Sequence, residues 1–484
     1  MRLLFPKVAV RNSGFRNIVQ YMSIKHTRSA KTDFEHGKVW KVILAQALPL
    51  MTAQIVYLLY NIVDRVFIGH MPGNTGSAAL TGIGLAFPLT TIIAAFTNLV
   101  SSGGSPLFAI ARGEKDREQA SRILNQAAMM LGVGSLIIFV FCYLLRRPIL
   151  FLFGASETSY PYADAYLKLY LLGTTFSMVS TGLNSFINAQ GYPRHGMITV
   201  VAGALVNLIL DPLFIYVFHM GVSGAALATV IAQGVSFTWV LYFFFSGLSA
   251  YRLDAVLWKP DLRLIRDICS LGITGFIVQG TNSLVQIVCN VTLRTFGGDL
   301  YVGVMTVINS LREVLSLPCN AITQGGQPVM SYNYGARKYS RIKECIRFMT
   351  AVAFVYTLAA WAAVIFFPDT LMRIFTDDPA MISAGTSALS IYFFGFIFMT
   401  FQFAGQSAFT ALRCVRRAVF FSLFRKVIIV VPLTLLLPRL GFGVNGVYLA
   451  EPISNLVGGI ACFTTMYFTL YRRLPEDGAP ADIK

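Results

Sequence analysis

Two acidic residues stand inside stretches of the sequence that are apolar enough to cross a lipid bilayer. Asp64 lies within residues 47–69, and Asp211 lies in a second apolar stretch, four residues after Asn207. A carboxylate within a membrane span costs on the order of 3 kcal/mol, so both acids are candidates for a functional site. The spacing of four places Asn207 and Asp211 on one face of a helix, where they can act together.

Further polar side chains in neighbouring apolar stretches supply oxygen atoms for the same site. The predicted ligands are two carboxylates, an amide and two hydroxyl groups: Asp64, Asp211, Asn207, Thr229 and Tyr166. Such oxygens suit a small hard cation, and a carboxylate also takes up a proton. We therefore predict a small oxygen cage for Na⁺ or H⁺, with no metal centre and no cofactor besides this ion.

Each acid also has a structural alternative. Pro212 follows Asp211 and cannot donate a helical hydrogen bond, so Asp211 can be a capping or loop acid near the outer end of its helix. Arg65 follows Asp64, and the two side chains can form an ion pair at the membrane interface. The sequence leaves both alternatives open.

The composition excludes a soluble protein. Of the 484 residues, 55% are hydrophobic and 13% are charged, and the mean hydropathy is +0.64, whereas soluble domains carry about 25% charged residues. The apolar residues come in long blocks without the alternation of a membrane β-barrel, which indicates an all-α polytopic membrane protein. The net charge of +17 does not indicate nucleic-acid binding, because the basic residues lie in short loops between apolar blocks.

The sequence contains no pattern for an enzyme or a metal site. There is no phosphate-binding loop of the type Gly-x-x-x-x-Gly-Lys-Ser/Thr, and no Ser/His/Asp cluster on a separate soluble domain. The seven cysteines include no Cys-x-x-Cys pair, so we interpret them as small core residues. We therefore expect a protein that is not an enzyme.

Twelve apolar segments are predicted to span the membrane. Their approximate limits are 42–69, 79–104, 124–145, 163–187, 197–217, 225–246, 268–293, 302–325, 348–367, 385–411, 419–437 and 446–470. An even number of spans places both termini on one side. The connections after even-numbered spans carry most of the arginines and lysines, and positive charge marks the cytoplasmic side. We therefore predict a multi-pass protein of the cell (inner or plasma) membrane with both termini in the cytoplasm.

The chain repeats itself at an offset of 222 residues. The glycine-rich motif at 103–106 recurs at 325–328, and Gly113 recurs as Gly335. Six spans per repeat give both halves the same orientation, which is typical of two-lobed secondary transporters. We predict two parallel, pseudo-symmetric six-helix lobes, with these segments: a basic N-terminal tail (1–38), a first lobe (39–246), a cytoplasmic linker (247–267), a second lobe (268–470) and a cytoplasmic C-terminal tail (471–484).

The first 38 residues are basic and contain two acids, Asp33 and Glu35. We interpret the segment as a cytoplasmic tail. If the true start is Met22 rather than Met1, the sequence as printed makes this tail longer than it is in the protein. The alternative is an organelle transit peptide, because such peptides are rich in arginine and poor in acids.

The spans of the second lobe carry a different set of charged residues: Arg312, Glu313, Arg425, Lys426 and Glu451. Adjacent residues on a helix do not face each other, so Arg312 and Glu313 need separate partners. One interpretation is inter-helix ion pairs that hold the lobe together, and the other is a second cation or substrate site. The segment matching Asn61-Ile-Val-Asp64 reads Gln286-Ile-Val-Cys289, so we expect the coupling ion in the first lobe.

With these residues in view, the sequence resembles the multidrug and toxic compound extrusion (MATE) family, in its MepA-like bacterial branch. The resemblance covers residues 40–473 and rests on these motifs: Leu48-Pro49, Asn61-Ile-Val-Asp64, Asn188-Ala-Gln-Gly191, Gly325-Gly-Gln-Pro328 through Asn333-Tyr-Gly335, and Ala450-Glu-Pro452. It implies a V-shaped pair of six-helix lobes that exports amphipathic, often cationic compounds against inward H⁺ or Na⁺.

The resemblance also implies roles for individual residues. The implied ion-site residues are Asp64, Asn207, Asp211, Thr229 and Tyr166. The implied drug contacts are Tyr57, Tyr60 and Asn184, and we add Asn61 of the same span to this set. Pro49 is the expected hinge of the first helix. Arg65 departs from the family, in which a small or hydroxylated residue often follows the acid.

Two other functions stay open for this architecture. A flippase for lipid-linked precursors, from the wider superfamily, needs a more cationic central cleft than Arg65 and Arg312 provide. An ion channel or sensor predicts ion flux without drug stimulation. As partners we expect small-molecule drugs or toxic metabolites and the lipid bilayer, with no nucleic acid, and we expect a monomer.

Overall fold

The computed structural model describes residues 31–69, 71, 75–152, 155, 160–254 and 259–480, and no β-strand occurs among them. Residues 1–30 of the predicted tail, together with the prediction about its start, lie outside the described residues. The first lobe contains these helices in chain order: α1 (Val39–Gly69), α2 (Thr75–Gly113), α3 (Arg117–Leu144), α4 (Arg146–Leu152), α5 (Tyr160–Leu172), α6 (Thr174–Ala189), α7 (Pro193–Pro212) and α8 (Gly221–Phe245).

The second lobe repeats this succession of long and short helices. Its α-helices are α9 (Leu262–Gly297), α10 (Asp299–Gly335), α11 (Tyr339–Phe366), α12 (Pro368–Arg373), α13 (Pro379–Phe393), α14 (Met399–Ala411), α15 (Val415–Leu423), α16 (Val431–Leu436) and α17 (Gly443–Thr469). Two π-helical segments interrupt the pattern at proline-containing spans: Leu213–Val217 directly after α7, and Phe424–Val430 between α15 and α16.

The lengths and composition of these helices confirm the predicted all-α polytopic fold. Ten helices among the described residues are long and apolar enough to cross a membrane, and the bent pair Pro379–Phe393 and Phe396–Ala411 makes an eleventh candidate. The predicted span at 163–187 corresponds to α5 and α6, which have 13 and 16 residues. Gly173 interrupts this polar segment, so neither half is long enough to be counted alone.

The first helix of each lobe begins in the core of the other lobe. At the start of α1, Val39 and Ile43 belong to a buried cluster formed mainly by the second lobe. At the start of α9, Leu264 and Ile268 belong to a buried cluster of the first lobe. The later parts of both helices return to their own lobes, where α1 packs on α7 and Cys289 of α9 lies in the second-lobe core. The two lobes are therefore joined by an exchange of helix beginnings.

Both ends of the described chain lie on one side of the molecule, which we call the terminal face. In the segment before α1, the Thr32 amide donates to the Gly191 carbonyl of the first lobe, and Glu35 pairs with Lys338 of the second lobe. Near the other end of the chain, the Gly478 amide donates to the Arg337 carbonyl. The N-terminal segment 31–38 thus contacts both lobes on this face.

Two glycines allow the lobes to meet backbone to backbone on the terminal face. Gly113 at the end of α2 lies against the Tyr332 carbonyl of α10, and Gly335 at the end of α10 lies against the Ile110 carbonyl of α2. The two contacts are related by the 222-residue repeat. A Cβ atom at either glycine would overlap the facing carbonyl oxygen, so the close approach requires glycine.

Candidate functional site

The helix α7 carries the predicted pair Asn207 and Asp211 into the interior of the first lobe. It begins with Pro193 at a first-turn position, where the missing N–H is not needed. Asp211 does not end the helix, because a π-helical segment continues the chain from Leu213 to Val217. The alternative of a capping or loop acid is therefore wrong. Pro212 removes one helical hydrogen bond, which is consistent with the wider turn that follows.

The two acids of the first lobe meet across α1 and α7. The side-chain amide of Asn207 donates to Oδ1 of Asp211 at 3.2 Å, and both residues are buried, with 2% and 1% of their surface exposed. The Asp211 carboxyl also lies within side-chain hydrogen-bonding reach of Asp64. Two carboxyl groups at this separation repel each other when both are ionised, and a shared proton or a bound cation removes that repulsion.

The hydroxyl of Thr229 on α8 lies beside Asn207 and adds an oxygen atom to the site. Its Oγ1 lies 3.5 Å from Nδ2 of Asn207 and donates to the Ala225 carbonyl at 3.0 Å. Because the hydroxyl proton is used within α8, an oxygen lone pair is available to a ligand. The Oδ1 atom of Asn207 is buried and has no hydrogen-bond partner among the described residues. Carboxylate, amide and hydroxyl oxygens thus converge between α1, α7 and α8.

Tyrosine rings surround the acids. Tyr166 of α5 is buried and stacks on Tyr170, with ring centroids 5.6 Å apart. On α1, Tyr57 and Tyr60 form an edge-to-face pair at 5.2 Å. Tyr166 interacts electrostatically with both Asp64 and Asp211, and Tyr60 interacts with Asp64. The predicted residues Tyr57, Tyr60 and Tyr166 therefore lie in the same region as the acids.

The sequence reasoning missed two members of this region, Tyr170 and Gln233. The side chains of Tyr170 on α5 and Gln233 on α8 lie close enough to interact, and α5 packs on α8. A signal was present in the sequence, because each residue follows a predicted ligand by four positions: Tyr170 follows Tyr166, and Gln233 follows Thr229. That spacing places each pair on one helical face.

Two of the predicted substrate contacts are hydrogen-bonded elsewhere. The amide of Asn61 donates to the Tyr57 carbonyl of its own helix at 2.7 Å. The amide of Asn184 donates to the Gly196 carbonyl at 3.2 Å, near the beginning of α7. Asn184 and Asp211 thus lie toward opposite ends of the first lobe, and the structure does not bring Asn184 to the acids.

Pro49 lies within α1, 15 residues before Asp64, or about 22 Å along the helix. It cannot donate a hydrogen bond to the Ala45 carbonyl, so α1 is weakened at this turn. The side chain of Arg65 lies outside the described residues, as does the predicted ion pair between Arg65 and Asp64.

The second lobe lacks this arrangement of acids. At the 222-residue offset, Asn207 and Asp211 correspond to Ile429 and Leu433. Cys289, the counterpart of Asp64 by motif, lies 3.8 Å from the Thr434 hydroxyl. Within the described parts of both lobes, no group of three or more His, Cys, Asp or Glu side chains is arranged to hold a metal ion.

Comparison with known proteins gives matches along most of the chain. The MatE family model matches residues 49–213 and 276–436. The multidrug export protein MepA of Staphylococcus haemolyticus (strain JCSC1435) is 24% identical over 92% of this chain and 97% of that protein. MepA of Staphylococcus aureus (strain NCTC 8325 / PS 47) is also 24% identical, with the same coverage.

Solved structures give a matching fold. An outward-facing multidrug resistance MATE family transporter of the MOP superfamily superposes with a TM-score of 0.86 at 22% identity, covering 92% of this chain and 99% of that chain. A MOP superfamily transporter from Pyrococcus furiosus gives the same TM-score, identity and coverage.

Proposed function

The chain belongs to the MatE family, and we propose that it is a secondary active multidrug exporter. In this proposal it moves amphipathic, cationic organic compounds out of the cell and is driven by the inward flow of H⁺ or Na⁺. The full-length similarity to MepA multidrug export proteins supports the choice of drugs or toxic metabolites as substrates. We further propose that the protein is a monomer, is not an enzyme, and lies in the plasma membrane with its terminal face in the cytoplasm.

The observation that carries the proposal is the pair of acids that meet inside the first lobe, Asp64, which is partly buried, and Asp211, which is buried. Asp64 and Asp211 lie within hydrogen-bonding reach of each other, and Asn207 and Thr229 add further oxygen atoms. Two carboxylates in a membrane interior are costly unless a proton or a cation compensates them. We therefore assign the coupling ion to this pair, with Tyr166 as an additional hydroxyl.

The same region also supports a mechanism for exchange between ion and drug. The exposed ring of Tyr57 and the neighbouring Tyr60 offer aromatic faces to an organic cation. A cationic drug beside the ionised acids and an inward-moving ion compete for the same negative charge, so binding of one disfavours the other. Neutralisation of the acids would then let α1 bend at Pro49 and release the drug outward.

The energetics set the size of the drug gradient that one ion can support. A membrane potential of 100 mV supplies about 2.3 kcal/mol for each charge that moves across the membrane. For a neutral solute this corresponds to about a 50-fold concentration ratio, whereas the exchange of one monovalent ion for one singly charged drug cation moves no net charge and gains nothing from the potential. A larger gradient needs a concentration difference of the coupling ion in addition to the potential.

Transport by the purified protein in liposomes tests the proposal. Ethidium export is followed by its fluorescence while either a pH gradient or a Na⁺ gradient is imposed, and the gradient that drives export identifies the ion. Asp64→Asn is expected to abolish gradient-driven export while the protein still inserts into the membrane. The matched control is Asp299→Asn, because Asp299 lies at the far end of the molecule from the terminal face and is exposed.

The same assay separates the alternatives. Unchanged export by Asp64→Asn would overturn the assignment of the ion site. Ion flux without ethidium export would indicate a channel or sensor. If neither gradient drives ethidium export, movement of a lipid-linked precursor between leaflets becomes the next assay, and a positive result there would indicate a flippase.

A further inference from the structure

Four charged side chains meet inside the second lobe, at a place that the ion and drug sites of the first lobe do not use. They come from α10, from the π-helical segment Phe424–Val430 and from α17. Oε1 of Glu451 lies 2.6 Å from Nη2 of Arg425, 3.0 Å from Nζ of Lys426 and 3.8 Å from Nη1 of Arg312. The inter-helix ion pairs that we considered for these residues are therefore present in the structure.

The charges in this cluster do not balance. Three basic side chains surround the single carboxylate of Glu451, and two of them are guanidinium groups, so positive charge exceeds negative charge even apart from Lys426. The neighbouring acid Glu313 has an exposed side chain. The side chains of Arg425, Lys426 and Glu451 are at most 10% exposed. Excess positive charge in a membrane interior is costly unless an anion compensates it. This excess argues against a second cation site.

The two guanidinium groups also have hydrogen-bond donors that are not used within the cluster. The Nε atoms of Arg312 and Arg425 are buried and have no hydrogen-bond partner in the described part of the chain. Arg312 is the most accessible member of the cluster, with 32% of its side chain exposed. A ligand that reaches Arg312 meets an edge of the cluster where hydrogen-bond donors and positive charge are both available.

The position of the cluster gives corresponding regions of the two lobes charged groups of opposite sign. At the 222-residue offset, Glu451 corresponds to Thr229 of the ion site, and Arg425 and Lys426 correspond to Gly203 and Ala204. Thus the same region carries a pair of acids in the first lobe and a group of cations in the second. The lobes share a fold, but they are suited to ligands of opposite charge.

We propose that Arg312, Arg425 and Lys426 form an anion-binding site that takes the carboxylate of amphipathic organic anions and zwitterions. The inference rests on the proposed export function and extends its substrates beyond cations. Guanidinium groups match the planar carboxylate with paired hydrogen bonds. Leu311, the neighbour of Arg312 in the chain, and Leu315, one turn further on, belong to the second-lobe core, and the buried ring of Tyr392 in the same core interacts with Arg312. Such surroundings suit an organic anion rather than a hydrated inorganic one.

Binding of two fluorescent compounds to the purified full-length protein tests the proposal. Fluorescein is the aromatic carboxylate probe, and ethidium is the aromatic cation. We expect the parent protein to bind both. Arg312→Gln is expected to weaken fluorescein binding on the order of tenfold, as for the loss of one charge-assisted interaction, and to leave ethidium binding unchanged. Arg312→Lys, which retains the charge, is expected to recover part of the fluorescein affinity.

The matched control is Arg373→Gln, because Arg373 pairs with Asp369 on the exposed helix α12. Retained ethidium binding shows that each variant is folded. The proposal is overturned if the parent protein does not bind fluorescein, or if Arg312→Gln and Arg373→Gln bind it equally. Binding of inorganic phosphate that depends on Arg312, without binding of fluorescein, would overturn the assignment to organic substrates. Failure of ethidium export in liposomes would contradict the exporter proposal separately.

Discussion

The backbone of Gly113 lies directly against the carbonyl oxygen of Tyr332, which belongs to the other lobe. The repeat makes the same contact a second time between Gly335 and Ile110. Because backbone touches backbone at both places, no side chain can rearrange to make room for a larger residue. The packing of the two lobes on the terminal face therefore depends on the absence of two Cβ atoms.

Gly113→Ala is expected to destabilise this packing by about 1–3 kcal/mol, as for overpacking of a tight interior. The added methyl group must push α2 away from α10. The measurement is the thermal unfolding temperature in detergent, together with the rate of ethidium export. Gly335→Ala should have the same effect, since its surroundings are equivalent.

Gly132→Ala serves as the control, because Gly132 lies inside helix α3 and a Cβ atom there meets nothing within 4 Å. Alanine is favoured over glycine in a helix, so this variant should be at least as stable as the parent protein. Equal stability of Gly113→Ala and Gly132→Ala would show that the lobes tolerate a side chain at the contact.

Replacement of Thr229 tests whether its hydroxyl binds the coupling ion. Thr229→Val keeps the shape but removes the oxygen, and it should raise the ion concentration needed for half-maximal export on the order of tenfold, equivalent to about 1.4 kcal/mol. Thr229→Ser keeps the oxygen and should resemble the parent protein. The measurement is ethidium export at a series of ion concentrations.

Thr238→Val is the matched control on the same helix. The hydroxyl of Thr238 donates to the Gly234 carbonyl and is exposed. This variant should leave the ion dependence unchanged. An equal response of Thr229→Val and Thr229→Ser would mean that the loss comes from packing and not from the hydroxyl.

Removal of the single carboxylate in the cationic cluster should be strongly destabilising. Glu451→Gln leaves Arg425, Lys426 and Arg312 without their counter-charge, and breaking a buried ion pair costs about 3–5 kcal/mol. Unfolding temperature and yield of folded protein are the measurements. Asp369→Asn breaks the exposed pair with Arg373 and should cost at most about 1 kcal/mol. Equal effects of the two substitutions would contradict the importance of the buried cluster.

The N-terminal segment should loosen in acid. Lys338, whose Nζ lies 3.1 Å from Oε1 of Glu35, donates a hydrogen bond that holds the pKa of this carboxyl below its usual value of 4.5. A lowered pKa means that the pair contributes stability at higher pH and loses it as pH falls below about 4.5 and through the folded-state value. Thermal unfolding between about pH 6 and about pH 3 measures the slope.

Glu35→Gln should flatten this acid dependence, because the amide does not titrate in this range. Glu118→Gln is the control, since Glu118 pairs with Arg122 of the same helix and joins no separate segments. A parent-like slope for Glu35→Gln would show that other carboxyl groups govern the acid response.

The repeat and the long apolar blocks were sufficient to predict the helical fold, because apolar length is a local property of the sequence. The correspondence between Gly113 and Gly335 was also found from the 222-residue offset alone. The segment 163–187 was harder to identify as a span, because its polar residues lower the hydropathy by which spans are recognised. In the structure it corresponds to the two short helices α5 and α6. The exchange of helix beginnings was not predicted, since it depends on how two finished lobes dock.

The candidate site was predictable only in part. Asn207 and Asp211 share a face by spacing, and the structure brings Thr229 to them from another helix. Whether Asp211 ended its helix required the structure, because a proline predicts either a stop or a distortion. Tyr170 and Gln233 were missed although their spacing from Tyr166 and Thr229 was visible. Asn184 was included because of the resemblance to the family, but in the structure it lies toward the end of the first lobe that is far from Asp211.

The exchanged helix beginnings have a mechanical consequence. Since α1 and α9 are each anchored in both lobes, the lobes cannot part at the terminal face as free rigid bodies. Their separation must strain these two helices. Only α1 carries a proline, Pro49, whereas the sequence of α9 contains none. The two crossing helices therefore differ in bending stiffness, and the softer one is the helix that carries Asp64.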